Sequence, residues 1–410
     1  MIKSLRHIFS WQIFTLALVT LFCIRYIPLE TRAGVSMIKT GVSFICLFFL
    51  IIRPPFVSKA LILSITYFIT VLTCVSFHNE TFRWSTMLYL LSFIIVYIFV
   101  YDSVVCKKII DFQQFLNFTK GLIYAYTITL ILQQILIIIG VREFPILNLT
   151  QFLDRGIGAN SLSGEPSSAA RLMAVLFLAL IRLEELKQNK KIAIKYLWEN
   201  QRWATLGFLW TMVTMGSGTA MIALLLISLY FLNLKHIVIV IGVAVTFTLA
   251  VKYIEFKPLQ RVGVTIAAVM TAEQEEVSKA DNSAASRIIP MMNFFKLDFT
   301  DINTWVGRGI DYSANQGRNY TERYKKGVLG NINEYGLISY CVLLIFLYNC
   351  VIYRFFSLET LFFLILFQST LGNIAYAWGA VMIMTIVRHF QEEYECEEST
   401  DHLSITNKHV

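Results

Sequence analysis

The sequence predicts an all-α polytopic membrane protein with about twelve transmembrane helices, in a range of about ten to thirteen. Hydrophobic residues make up 56% of the 410 positions and charged residues only 15%, and the mean hydropathy is +0.62. These values lie outside the usual range of soluble domains. A helix needs roughly 20 mostly apolar residues to cross a bilayer. The predicted spans are 8–27, 35–52, 60–77, 84–101, 120–140, 166–183, 203–215, 219–234, 236–251, 332–350, 356–371 and 374–388.

One long polar segment, residues 252–331, interrupts this pattern late in the chain. Because short cytoplasmic loops retain Lys and Arg, the basic short loops place both termini in the cytoplasm and the long segment outside. The predicted organisation is membrane helices one to nine over 1–251, a large extracytoplasmic loop over 252–331, helices ten to twelve over 332–390, and an acidic cytoplasmic tail over 391–410. The tail is predicted to be disordered, since runs of like charge stay solvated.

Composition also limits the partners and the catalytic chemistry expected for this protein. The net charge of +8 follows from the basic inner loops and requires no nucleic-acid partner. The seven cysteines avoid the long loop, and no Cys/His cluster has zinc spacing, so we expect no metal and no cofactor. Only His78 of the six histidines falls on the predicted external side. An external reaction would therefore rely on a carboxylate (Glu80, Glu165, Asp311 or Glu334) or on electrostatics alone.

A charged residue inside a predicted span is the first candidate for function, because each costs about 2.5–3.5 kcal/mol at mid-membrane. Arg171 follows the sequence Gly164-Glu165-Pro166-Ser167-Ser168. Proline suits the first position of a helix, so the helix is predicted to begin at Pro166 with Glu165 at or next to its cap. Arg171 then shares a helical face with Ser167 and Ser168, and this arrangement suits a phosphate or pyrophosphate. Alternatively, Glu165 only caps the helix and Arg171 snorkels to the interface.

The long loop carries further basic residues. Arg287 follows Ser286, Arg308 lies in the turn Gly307-Arg308-Gly309, and Arg318 follows soon after Tyr312. Glycines allow a backbone to approach a ligand closely, and the mixture of Tyr and Arg suits sugar stacking and phosphate pairing. Each Arg is also compatible with a solvated surface charge, but their predicted location on the same side as Arg171 favours a shared site.

With these motifs the chain resembles the bacterial O-antigen polymerase and O-antigen ligase-like superfamily, the Wzy-type polysaccharide polymerases. The resemblance covers about residues 60–390 and rests on the number of spans, the large external loop and short motifs in a fixed order. These motifs are Gly164-Glu165-Pro166-Ser167, Met215-Gly216-Ser217-Gly218-Thr219-Ala220, Ser286-Arg287, Gly307-Arg308-Gly309 and Asn333-Glu334-Tyr335-Gly336-Leu337-Ile338. Two features depart from the family. Ser217-Gly218 stands where Ser-Arg is common, and the long loop lacks the His that ligases carry, which favours a polymerase.

The resemblance implies a metal-independent, inverting membrane glycosyltransferase of the bacterial cytoplasmic (inner) membrane. Such an enzyme joins undecaprenyl-pyrophosphate-linked oligosaccharide repeat units on the outer face, in O-antigen, capsule or exopolysaccharide biosynthesis. Its expected partners are that lipid-linked donor, membrane lipids, a chain-length regulator and a flippase. The implied catalytic residues are Glu165, Arg171 and Arg287, and the implied substrate-binding residues are Ser167, Ser168, Arg308, Tyr312, Arg318 and Glu334. A ligase, or a lipid-linked oligosaccharide flippase or exporter, is the alternative; a flippase would carry more charges at mid-span.

Overall fold

A computed structural model describes residues 2–26, 36–141, 147–148, 157–231, 297–310, 312, 330–367, 372 and 374–406. Of this described part, 77% is helical and none is strand, which confirms the all-α prediction. The helices are α1 Ile2–Cys23, α2 Met37–Ile52, α3 Lys59–Ser76, α4 Trp84–Tyr101, α5 Phe112–Ile139, α6 Pro166–Gln188, α7 Ile194–Asn200, α8 Arg202–Thr214, α9 Gly218–Phe231, α10 Ile302–Val306, α11 Gly330–Cys350, α12 Leu358–Leu366 and α13 Ala375–Thr406.

Five helical segments in these ranges are long and apolar enough to cross a membrane: Lys59–Ser76, Trp84–Cys106, Phe112–Ile139, Pro166–Gln188 and Ile332–Cys350. Shorter apolar helices cover Trp11–Cys23, Met37–Ile52 and Gly218–Phe231. The chain is therefore a helical membrane protein. The count of twelve spans and the orientation stay predictions, and the predicted span 236–251 and most of the long loop lie outside the described residues.

Several helices begin where the sequence supplies a capping side chain. Ser36, Ser58 and Ser357 accept hydrogen bonds from backbone N–H groups in the first turns of α2, α3 and α12. At α5, Asp111 and Gln114 form a reciprocal capping box, which satisfies two N–H groups that would otherwise lack partners. These caps set the helix starts independently of membrane hydropathy.

Helix α6 is the central helix of the bundle. Its residues from Ala169 to Ile181 are all buried, and it contacts α5, α8, α9 and α13. Small residues such as Ala174 and Ala179 permit close approach of neighbouring helices. A large aromatic contact adds to this packing, because Phe177 stacks on Phe208 of α8 with 4.0 Å between ring centroids. Arg171 and Glu184 of α6 are consequently held inside the protein.

The bundle has two chemically different ends, which we name after two arginines of α6. At the Arg171 end, α6 and α13 both begin, and the Arg171 guanidinium donates to the Tyr376 hydroxyl. At the Arg182 end, α6 finishes and α12 begins, and Arg182 pairs with Glu359. The motifs at 164–167, 215–220, 307–309 and 333–338 fall at the Arg171 end, whereas the ion pairs of the α13 glutamates fall at the other.

The acidic tail differs from its prediction. Residues 391–406 continue helix α13 instead of being disordered. The physical reason is that glutamates of this extension pair with basic side chains from three other parts of the chain, and these pairs outweigh the like-charge repulsion along the tail. Glu392 pairs with Lys59 and Arg388, Glu393 with Lys108, and Glu395 with Arg354. The Tyr353 hydroxyl also donates to Glu395.

Candidate anion-binding site

The start of α6 forms as the sequence predicts. The helix begins at Pro166, and Glu165 is the N-cap residue with extended backbone angles, φ −144° and ψ 150°. The Glu165 side chain makes no capping hydrogen bond; it is exposed and accepts a hydrogen bond from the Ser167 hydroxyl at 3.3 Å. The positive end of the helix dipole is therefore not neutralised by a capping carboxylate.

Arg171 is buried one turn into α6, with only 7% of its surface exposed. One guanidinium nitrogen donates to the Tyr376 hydroxyl, whose ring centroid lies 5.9 Å from the guanidinium carbon. The Nε atom has no hydrogen-bond partner, and no described carboxylate lies within ion-pair distance. The side chain thus packs against α13 instead of snorkelling to the interface.

Arg182, on the same helix, provides the contrast. It lies eleven residues after Arg171, about three helical turns, so both side chains leave nearly the same face. Arg182 forms two hydrogen bonds to Glu359, at 2.5 and 3.0 Å, and one to Glu185 at 2.7 Å. Because a buried charge is costly unless it is paired, the arrangement around Arg171 suits an anion supplied from outside the chain.

A second arginine at this end, Arg25, had no role in the sequence-based site. It follows α1, and its backbone N–H donates to the Leu162 carbonyl at 2.9 Å. Its guanidinium lies over Gly164: a Cβ atom built there would be 2.4 Å from Arg25 Nη1 and 2.8 Å from Cζ. In the sequence, Gly164 was the only local sign of this contact, because Arg25 lies much earlier in the chain. Tyr376 was missed for the same reason.

We expect Gly164→Ala to displace the Arg25 guanidinium. The added methyl group has no room, and 3.0 Å is the practical lower limit for such contacts. If Arg25 helps to hold an anionic substrate, activity should fall by about tenfold or more, the usual effect of one lost charge-assisted hydrogen bond. The measurement is the activity of cells that express equal amounts of each variant.

Gly121→Ala is the matched control, because nothing lies within 4 Å of a Cβ at Gly121 in the middle of α5. Equal activity of the two variants would contradict a role for Arg25.

The turn around Arg308 forms a second cluster. Arg308 pairs with Asp301 at 2.9 Å and donates to the Tyr312 hydroxyl at 3.1 Å. The turn docks on the start of α11: the Arg308 N–H donates to the Asn333 carbonyl at 2.8 Å, and the Gly309 N–H to the Glu334 carbonyl at 3.2 Å. Arg308, Tyr312 and Glu334 are therefore brought together, whereas Arg287, Arg318 and Asp311 lie outside the described residues.

His78 connects this cluster to the end of α3. Its Nε2 atom lies 2.9 Å from the Gly307 carbonyl oxygen, and a Cβ at Gly309 would be 2.0 Å from the Thr81 hydroxyl oxygen. The His78 imidazole therefore helps to hold the turn 307–309 against the end of α3. Within the described part of the chain, no group of three or more His, Cys, Asp or Glu side chains is arranged to hold a metal ion.

Two glycines make this docking sterically feasible. Gly336 interrupts the helical geometry of α11 with φ 82° and ψ 165°, and a Cβ there would lie 2.1 Å from the Trp305 carbonyl oxygen. Gly307 has φ 85°, and a Cβ there would lie 2.4 Å from the Glu334 carbonyl oxygen. Since backbone atoms on both sides are the obstacles, neither contact relaxes through a side-chain rotation.

We expect Gly336→Ala to lower the stability of the purified protein by roughly 2 kcal/mol or more, from backbone strain and the clash together. The thermal midpoint in detergent is the measurement. Gly41→Ala, where a Cβ meets nothing within 4 Å, should leave that midpoint nearly unchanged. An unchanged midpoint for Gly336→Ala would mean that the turn does not dock as described.

The two clusters lie at the same end of the bundle. Tyr335, next to Glu334, packs on the segment before α13, where a Cβ at Gly372 would lie 3.0 Å from its ring. The Gly372 carbonyl accepts a hydrogen bond from the Trp378 indole at 3.2 Å, and Trp378 follows Tyr376 in α13. The structure thus groups Glu165, Ser167, Ser168 and Arg171 at the start of α6, and Arg308, Tyr312 and Glu334 beside α11.

No family model matches the chain, and no curated protein or solved structure matches it. The fold and the site define a class by themselves: a helical membrane protein whose central helix holds a buried arginine, without a described carboxylate, at its N-terminal end.

Proposed function

We propose that this protein is a polysaccharide polymerase of the Wzy type. It would join undecaprenyl-pyrophosphate-linked oligosaccharide repeat units at the Arg171 end of the bundle, on the outer face of the bacterial cytoplasmic membrane. The observation that carries the proposal is the unequal pairing of two arginines on one buried helix. Arg182 is matched by two carboxylates and Arg171 by none in the described structure, and the resemblance in the motifs supplies the substrate class.

The proposed reaction depends on a site that stabilises an anionic leaving group, and it requires no metal ion. The acceptor hydroxyl attacks the anomeric carbon of the donor, the bond from that carbon to the pyrophosphate oxygen breaks, and inversion results. The leaving pyrophosphate carries the developing negative charge. A buried guanidinium at a helix N-terminus stabilises such a charge, because both are fixed in place before the reaction.

Glu165 is the proposed base for the acceptor hydroxyl. It is exposed at the mouth of α6, and its described partner is the Ser167 hydroxyl. The carboxylate is thus close in sequence and space to Arg171 without being neutralised by it. In this scheme the proton of the acceptor passes to Glu165 while the electron pair of the broken bond leaves with pyrophosphate.

The remaining site residues have binding roles in the proposal. Ser167 and Ser168 donate to phosphate oxygens, Tyr312 stacks on a sugar ring, and Glu334 accepts from sugar hydroxyls. Arg308 is held by Asp301, so it is suited to positioning the substrate more than to neutralising a full charge. Arg287 and Arg318 are proposed to approach from the long loop.

A reconstituted reaction tests the function. Purified protein in detergent would be given lipid-linked repeat units, and products would be separated by length. Chain growth without a second leaflet or ATP supports a polymerase and excludes a pure flippase. Transfer of glycan only to a different lipid acceptor would indicate the ligase alternative. Absence of growth with an intact donor and folded protein would contradict the proposal.

A further inference from the structure

The segment 187–203, which runs from the last turn of α6 through the connection to the first residues of α8, carries an unusual set of exposed side chains at the Arg182 end. We call it the α6–α8 loop; it includes the short helix α7. Its basic residues Lys187, Lys190, Lys191, Lys195 and Arg202 are all exposed, and Glu199 is its one acidic residue. The loop therefore presents a concentrated positive charge.

Three basic residues nearby have glutamate partners on α13, which most basic residues of the α6–α8 loop lack. Lys59, Lys108 and Arg354 each pair with a glutamate of α13. In the α6–α8 loop, Lys195 reaches Glu199 at 3.8 Å and Lys191 lies over the Tyr230 ring at 4.9 Å. The other three basic side chains form no ion pair with any residue that the structure describes: Lys187, Lys190 and Arg202.

Exposed apolar side chains lie among these charges. Ile194 is 61% exposed, Trp198 45% and Trp203 72%. The Arg202 guanidinium lies 5.6 Å from the Trp198 ring centroid and 5.9 Å from that of Trp203. Tryptophan is typical of the membrane–water interface, where its ring contacts acyl chains and its N–H contacts headgroups.

Buried contacts hold the loop in place. Leu197 of α7 is fully buried, and the buried Glu184 accepts from the Tyr196 hydroxyl at 2.9 Å and from the Gln201 amide at 2.5 Å. Burial, together with the hydrogen bond to Glu184, raises the pKa of Tyr196 to about 12, so the hydroxyl remains a donor at neutral pH. The exposed surface is consequently preorganised.

We propose that the α6–α8 loop is a docking site for anionic phospholipid headgroups of the surrounding bilayer. The charge complements phosphate, and the tryptophans and Ile194 match the interface. The loop directly follows α6, which is long and apolar enough to cross a membrane, so it would lie where headgroups are. An acidic protein partner would satisfy the charge but not the interfacial pair of tryptophans. Bound lipid would fix the position of α6, and the inference does not depend on the polymerase proposal.

The test compares two charge-matched triple variants of the purified full-length protein. Lys187→Ser/Lys190→Ser/Arg202→Ser removes the three cations of the loop that form no ion pair with a described residue. Lys59→Ser/Lys108→Ser/Arg354→Ser removes three cations of the neighbouring loops, which already have glutamate partners. Delipidated protein is titrated with phosphatidylglycerol or phosphatidylcholine in micelles, and bound lipid is counted by native mass spectrometry.

We expect wild type to prefer phosphatidylglycerol and the loop variant to lose that preference by about a hundredfold, from about a fivefold factor for each of the three cations. The control variant should retain it. Trp198→Leu/Trp203→Leu, which leaves the charge unchanged, should weaken binding of both lipids. Equal affinity of wild type for the two lipids, or equal losses in both triple variants, would overturn the proposal.

Discussion

Arg171→Met is expected to abolish chain growth while the protein remains folded and at least as thermally stable as wild type. Methionine fills a similar volume against Tyr376 and removes a buried charge that has no carboxylate among its described neighbours. Replacing an uncompensated buried charge by an apolar side chain is often neutral or stabilising. The loss of function follows because removal of one preorganised group at a developing charge lowers turnover by about 10²–10³-fold.

Two measurements on the same variant are needed. Cells that express Arg171→Met should accumulate single-repeat glycan, and purified protein should unfold at an equal or higher temperature. Arg171→Lys keeps the charge but not the planar, bidentate geometry, so we expect partial recovery at most. Arg354→Met, at the opposite end and exposed, is the control. Full-length polymer from Arg171→Met would refute the anion site, and severe destabilisation would mean that Arg171 is structural.

The start of α6 shows what a sequence can predict about such a site. Proline at the first position and the following apolar run are local signals, and they gave Pro166 and the Glu165 cap position correctly. The partners of the site were not predictable in this way. Arg25 and Tyr376 come from α1 and α13, and their contacts depend on how helices pack, which no local pattern encodes.

The tail illustrates a different limit. Its glutamates predict disorder when read alone, because like charges along a segment repel and remain solvated. In the folded protein the same charges meet Lys59, Lys108 and Arg354 from three loops, and α13 continues through them. Prediction of the number of spans meets a third limit, which is helix length. Helix α12, at 9 residues, falls below the length that hydropathy alone assigns to a membrane crossing.

Arg182→Gln is expected to destabilise the protein strongly, in contrast to Arg171→Met. Glu359 has 4% of its side chain exposed and would lose the cation that binds it through two hydrogen bonds. Removal of one partner from a buried ion pair typically costs about 3–5 kcal/mol. We expect a large fall in the thermal midpoint and less folded protein in the membrane, measured by size-exclusion chromatography of a fluorescent fusion.

The double variant Arg182→Met/Glu359→Leu distinguishes two causes of the instability of Arg182→Gln: the unpaired Glu359 carboxylate, or intolerance of any other side chain at position 182. Both charges are then absent, and an apolar pair of similar volume is often as stable as the ion pair. Glu185 keeps a partner, since the Tyr230 hydroxyl donates to it. We therefore expect the double variant to recover most of the midpoint lost in Arg182→Gln. A double variant as unstable as the single one would show that packing at this position, and not the unpaired carboxylate, determines the loss. Recovery of stability in the double variant, together with a stable Arg171→Met protein, would establish that the two arginines of α6 have different roles. Arg182 stabilises the fold, and Arg171 is available to bind an anion.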